Sequence, residues 1–194
     1  MTNINLHQTR TALLLIDVQM AFDDPYWGAR NNPAAEGNIA LLLKAWRQAN
    51  LPVIHVRHCS VEEQSPLRED RPGNAYKPEA TPLDGEIEFR KSVNSAFIGT
   101  QLHEYLQRHE IHQIVIVGIS TDHCVSTTTR MGANLGYQVH LVADACFSFE
   151  RVGWNGQIID AEQVHQINLA SLNREFCTLH STSNVIENLK QVRG

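Results

Sequence analysis

The sequence contains no apolar run approaching the roughly 18 residues that a membrane-crossing helix requires. Its first such run, Ala12 to Ile16, stops at Asp17. The opening MTNINLHQTR is polar and lacks the apolar core and small-residue cleavage site of a signal peptide. Positive charge is not in excess either: 16 Lys plus Arg against 21 Asp plus Glu leave a formal charge of −5. Nothing therefore draws the chain electrostatically to nucleic acid or to an anionic membrane. Cysteine is scarce, with Cys59, Cys124, Cys146 and Cys177 spread widely over 194 residues. In a chain this long they read as reduced thiols rather than a disulfide framework. These absences lead to the expectation of a cytoplasmic protein with no nucleic-acid and no membrane partner.

Missing motifs narrow the chemistry. No G-x-G-x-x-G follows a strand and no G-x-x-x-x-G-K-[ST] occurs, so nucleotide cradles are unsupported. Gly118-Ile119-Ser120-Thr121-Asp122 approaches a G-x-S-x-G nucleophile elbow, but its last position is Asp. There are ten histidines but no C-x-x-C, and His103-Glu104 is followed by Gln107 where H-E-x-x-H needs a second His. The expectation is an absence of both metal and cofactor.

What is present is an alternation of short apolar strands with helical stretches. Thr11 to Asp17 and Val53 to His58 read as strands flanking a helix through IALLLKAWRQAN. Residues 59–86, with Pro66, Pro72, Pro78 and Pro82, hold no sustained period; loops of that length inside compact domains are usually functional. A short strand Ile87 to Arg90, a helix near Phe97 to His109 and the strand Gln113 to Ile119 follow. Next come a helix from near His123 to Gly136 and the strand Gln138 to Asp144. Two more helices around a strand FCTLHS close the chain. With 42% hydrophobic residues, the pattern predicts one α/β domain over 1–194, a three-layer α/β/α Rossmann-like fold with a mostly parallel sheet.

Ligand sites in such sheets lie beyond the carboxyl ends of the strands. Cys124 sits there, at the start of a helix, where free amides and the helix dipole favour a thiolate. A buried structural cysteine is the plain alternative. His123 is the adjacent base, but neighbouring helical residues point about 100° apart, so it is expected to face away. Asp17 ends the first strand and Lys91 follows the strand IEFR. Singly they read as a solvated carboxylate and a surface lysine; jointly with Cys124 they supply a proton acceptor, a cation and a nucleophile.

Asp17-Val18-Gln19 after a leucine-rich strand, Lys91 in mid-chain, Gly118 through Cys124-Val125, and Asp144-Ala145 after the next strand form an ordered set. That set resembles the isochorismatase-like cysteine hydrolase family, which includes nicotinamidases, N-carbamoylsarcosine amidohydrolases and biuret hydrolases. The resemblance runs from about Thr11 to about Thr182. It implies Asp17 as proton acceptor, Lys91 as its charged partner and Cys124 as nucleophile. It also implies a cis peptide at Ile119–Ser120 that aims the Ser120 amide inward, and an oxyanion hole from the Ser120 and Cys124 amides. Thr128, Arg130 and Asp144 are expected to pack the nucleophile helix.

Within that family, nicotinamidases usually carry a D-x-H metal pattern after the second strand. Here the stretch reads Val56-Arg57-His58-Cys59-Ser60-Val61, which disfavours both nicotinamidase and a catalytic metal. Phe22, Trp27 and His58 are expected to line the substrate pocket. The expected function is cleavage of a C–N bond in a small amide, ureido or carbamoyl compound through a thioester. The alternatives are an isochorismate-type ether hydrolase that uses Asp17 without Cys124, and a non-catalytic small-molecule-binding scaffold. The resemblance further implies a homodimer or homotetramer, with the loop Phe147 to Gly156 and its Trp154 closing a neighbour's pocket.

Overall fold

The first strand, β1 (Arg10–Ile16), is apolar on both faces because helices cover both. Leu13 and Leu15 pack against the helix α1 (Ala35–Gln48) on one side; Ala12, Leu14 and Ile16 enter a second core layer on the other. These relations come from a computed structural model that describes residues 10–191. The strands β2 (Val53–His58), β3 (Ile87–Lys91), β4 (Ile111–Ile119), β5 (Gln138–Phe147) and β8 (Thr178–His180) join β1 in one sheet. Its order is β3-β2-β1-β4-β5-β8, and every pairing is parallel. The helices are α2 (Leu102–Arg108), α3 (Ser126–Asn134), α4 (Ala161–Leu172) and α5 (Thr182–Gln191). Residues of α5 share the first core layer with α1, while those of α2 and α4 share the second.

The architecture is the expected α/β/α arrangement, with differences at element ends. The helix expected near Phe97–His109 is only α2, because Gly99 in the left-handed region (φ 72°) delays its start. The helix expected from His123 begins instead as a single π-helical turn, Thr121–Val125, that leads into α3. An antiparallel hairpin of β6 (Arg151–Val152) and β7 (Ile158–Ile159), unforeseen in the sequence, carries Trp154 fully exposed at its tip. Among the described residues, no helix is long and apolar enough to cross a membrane.

The strand order reverses between β1 and β4, so a crevice opens beyond their carboxyl ends. Gly118 makes the close approach there possible. Its φ is 133°, and a side chain would place Cβ 2.0 Å from the Ile16 carbonyl oxygen. Across the same gap Asp17 adopts φ 52°, a conformation few non-glycine residues take, which turns the chain sharply at the end of β1.

Candidate active site

Three strand ends deliver the three expected groups to one point. Asp17 follows β1, Lys91 ends β3, and Cys124 lies in the π-helical turn after β4. Lys91 Nζ is 2.6 Å from Asp17 Oδ2 and 3.3 Å from Cys124 Sγ. Both charged side chains are fully excluded from solvent. Asp17 Oδ1 is buried with no hydrogen-bond partner among the described residues. A carboxylate with one oxygen committed to an ammonium and the other unpartnered retains a lone pair for a proton.

His58 completes the cluster. Lys91 Nζ lies 3.0 Å from its Nδ1, and that nitrogen is 4.0 Å from Asp17 Oδ2. Gln19 fixes His58 from behind: its Nε2 donates to the His58 carbonyl at 3.0 Å and its Oε1 accepts from the His58 amide at 2.9 Å. Asn74 donates to the same carbonyl at 2.9 Å. Gln19 and Asn74 thereby pin the long 59–86 segment against β1.

Electrostatics separate the roles. Burial works against the charge on Lys91, but Asp17 and the Cys124 sulfur outweigh it, so its pKa lies above the ordinary lysine value. Burial, then the Lys91 charge, hold His58 below its usual value against the pull of Asp17. Burial and then Asp17 push the Cys124 thiol well up, with Lys91 opposing. This corrects the expectation of a thiolate favoured by the helix start. A carboxylate placed to take the thiol proton stands on the other side of the Lys91 ammonium.

Asp17, His58 and Cys124 offer ligand atoms all within 4.8 Å of one another, a spacing that suits a metal ion. The Lys91 ammonium sits among them, in contact with all three. A divalent ion there would have to displace a buried cation already paired with the carboxylate.

The cleft in front of Cys124 has a volume of about 270 Å³, at the small end for ligand sites. Phe22, Trp27 and Phe149 form one wall, with the Trp27 centroid 5.1 Å from Phe22 and 5.8 Å from Phe149. The indole N–H of Trp27 donates to the Ala21 carbonyl at 2.8 Å, which fixes the ring. His58, Ser120 and Cys124 form the floor, and Ser60, Glu62 and Ser65 supply the rim from the 59–86 segment. The three expected pocket residues, Phe22, Trp27 and His58, thus all face the cleft.

The Ile119–Ser120 peptide is cis. His123 lines the cleft but is directed away from the thiol, as expected, with its Nε2 3.4 Å from Asp122 Oδ2. Thr128 Oγ1 accepts from the Ala96 amide at 3.0 Å, tying the nucleophile helix to the chain after β3. Arg130 reaches Ser171 Oγ at 2.8 Å and lies over Phe176. Asp144 does not pack that helix. Its Oδ1 accepts from the Thr182 amide at 2.8 Å at the start of α5, where a carboxylate complements the helix dipole. Sequence reasoning missed Phe149, Glu62 and Asn94, whose Oδ1 is 3.8 Å from Cys124 Sγ. Only Asn94 carried a signal, lying just beyond the Lys91 strand end.

The family model described as Isochorismatase domain matches residues 11–183. The chain is 44% identical over 179 residues to the isochorismatase family protein YrdC of Bacillus subtilis, covering 92% of this chain and 96% of that one. A solved hydrolase of the isochorismatase family from Chromobacterium violaceum aligns with a TM-score of 0.94 at 42% identity, covering 98% of this chain and 99% of the other. Over 67 residues, 34% of this chain and 27% of the relative, it is 40% identical to the ureidoacrylate amidohydrolase RutB of Serratia proteamaculans.

Proposed function

The chain belongs to the isochorismatase family of hydrolases, and on that premise we propose that it is a cysteine hydrolase cleaving a C–N bond in a small amide, ureido or carbamoyl compound. One observation carries this reading: Cys124 Sγ, the Lys91 ammonium and the half-unpartnered Asp17 carboxylate meet at the floor of a small cleft. The local likeness to an amidohydrolase supports C–N cleavage.

The reaction proceeds in two balanced halves. Asp17 takes the thiol proton as Cys124 sulfur bonds to the substrate carbonyl carbon, and the amides of Ser120 and Cys124 hold the oxyanion. The C–N bond then breaks, the proton on Asp17 passes to the departing nitrogen, and a thioester remains. Water next gives a proton to Asp17 while its oxygen bonds to the acyl carbon. The C–S bond breaks, and the sulfur recovers the proton as the acid leaves. Lys91 stays charged throughout, holding the carboxylate and offsetting charge on sulfur. No cofactor enters these steps.

An ammonia-release screen over small amides, imides and ureido compounds, run on the wild type and Cys124→Ala, tests the proposal. Turnover is expected only in the wild type, with an acyl adduct on Cys124 visible by mass spectrometry. Activity on every amide surviving in Cys124→Ala would remove the nucleophile. Isochorismate consumed alone, by both proteins, would replace this reading with Asp17-driven ether hydrolysis.

The same reading includes a cytoplasmic enzyme that keeps Cys124 reduced, assembled as a homodimer or homotetramer. Exposed Tyr26, Val152 and Ile158, which share a depression beside the cleft, and Trp154 at the hairpin tip support assembly. Light scattering on the purified protein measures the assembly state.

A further inference from the structure

The charges around the cleft are lopsided. Among the described residues, its lining includes the Glu62 carboxylate but no lysine and no arginine. The cation behind the floor, Lys91, is fully buried and already engaged by Asp17, His58 and Cys124. His58 accepts from that ammonium through Nδ1, which makes it a neutral imidazole. Arg151, one ring away behind Phe149, is held at 2.8 Å by Asp122, and His123 shares the same carboxylate. Among the described residues that line the cleft, no lysine or arginine is therefore left to receive an anion before the sulfur.

A carboxylate entering a small, partly dry cleft with no cationic side chain gives up its hydration for neutral hydrogen-bond donors alone. It also meets the Glu62 carboxylate at the rim, of the same sign, while the Asp17 charge beneath the sulfur is offset by Lys91. The opposite wall is three aromatic rings, whose faces attract flat apolar groups and cations. From this arrangement we infer that the cleft selects an uncharged or positively charged amide bearing a flat or apolar group and turns carboxylates away, with Glu62 as the specificity-determining residue. Which bond is cut rests on the amidohydrolase reading above; the charge selection stands on the lining alone.

The test separates the two. Iodoacetamide and iodoacetate present Cys124 with nearly the same small molecule, uncharged in one case and anionic in the other. Labelling of Cys124 is followed by mass spectrometry and divided by the rates for N-acetylcysteine. The corrected preference for iodoacetamide is expected to be at least about tenfold. It is expected to shrink in Glu62→Gln and shrink further in Glu62→Lys, with melting curves confirming that both variants fold. Equal labelling, faster labelling by iodoacetate, no labelling by iodoacetamide, or a preference unchanged in both variants would overturn the inference. Turnover of benzamide, 4-(aminomethyl)benzamide and 4-carboxybenzamide is measured in parallel. Best turnover of the carboxylate would overturn the inference as well. If no amide of any charge is cleaved, the hydrolase reading fails while the labelling ratio still decides this one.

Discussion

The ammonium of Lys91 donates to Nδ1 of His58 across 3.0 Å, which leaves the imidazole its proton on Nε2. Burial and the Lys91 charge both hold this histidine below its ordinary value. A histidine so held takes up its second proton at lower pH than a free imidazole does. In ¹⁵N spectra, His58 is expected to show a bare Nδ1 and a protonated Nε2 and to titrate below an ordinary histidine, the signal being assigned by its loss in His58→Gln. In Lys91→Met the opposing charge is gone and Asp17 remains 4.0 Å away, so its pKa is expected to rise. A His58 that titrates above 6.5 in the wild type would show that the ammonium does not donate to it.

Asp17 has two effects on Cys124 that substitution separates. Its charge is the second cause, after burial, that pushes the thiol up, yet it is also the group placed to accept the proton. In Asp17→Asn the thiol is expected to ionise more readily, so the pH profile of iodoacetamide labelling moves to lower pH. Turnover is nevertheless expected to fall by about two to four orders of magnitude, the usual worth of a positioned acid–base group. A labelling profile that moves to higher pH would contradict the electrostatics. A variant that keeps full turnover would remove Asp17 from the proton path.

The fold was legible because strand ends coincide with changes of chemistry. Asp17 ends an apolar run, Lys91 ends a short alternating one, and Val53 to His58 begins after Pro52. Those same ends carry the site, so reading the strands also located Asp17, Lys91 and Cys124. The rest of the cleft depends on long-range closure that local pattern does not encode. Glu62 reaches the rim because Asn74 and Gln19 bind the His58 carbonyl and anchor the excursion, contacts spanning 16 and 39 residues. Phe149, from the chain beyond β5, joins Phe22 and Trp27, from the chain beyond β1, in one core layer. The raised thiol was illegible for the same reason: burial and the neighbouring carboxylate are tertiary facts that override a helix start.

Lys91 and Asp17 are both fully excluded from water at 2.6 Å. Removing one partner strands the other charge in the interior, a loss of about 3–5 kcal/mol for buried pairs, whereas removing both is far milder. Lys91→Met alone is therefore expected to lower the melting temperature substantially, and Asp17→Asn with Lys91→Met to recover most of the loss while remaining inactive. Denaturant midpoints on the three proteins measure the difference. Additive destabilisation in the double variant would mean that the pair contributes to stability as two independent side chains.

A second buried pair governs acid stability. His140 Nδ1 lies 3.0 Å from His180 Nε2, and His180 Nδ1 lies 3.0 Å from Asn184 Oδ1. The order is set from the outer end: Asn184 Oδ1 accepts from His180, whose bare Nε2 then accepts from His140. The buried His140 Nε2 is left without a proton or a partner. Burial, reinforced by His180, lowers His140 to about 4, and burial lowers His180 as well. The unfolded chain therefore binds protons between pH 6.5 and about 4 that the folded chain refuses, so stability falls as pH drops through that window and is insensitive to this pair above it. Glu36 and Glu86, both lowered to about 2 despite the opposing effect of burial, act in a lower window, losing their contribution from about 4.5 downward. The fall in melting temperature from pH 7.5 to 5 is expected to be smaller in His140→Asn than in the wild type, even if the variant starts lower. An identical fall in both proteins would move the acid sensitivity to other buried histidines such as His165, which burial also lowers.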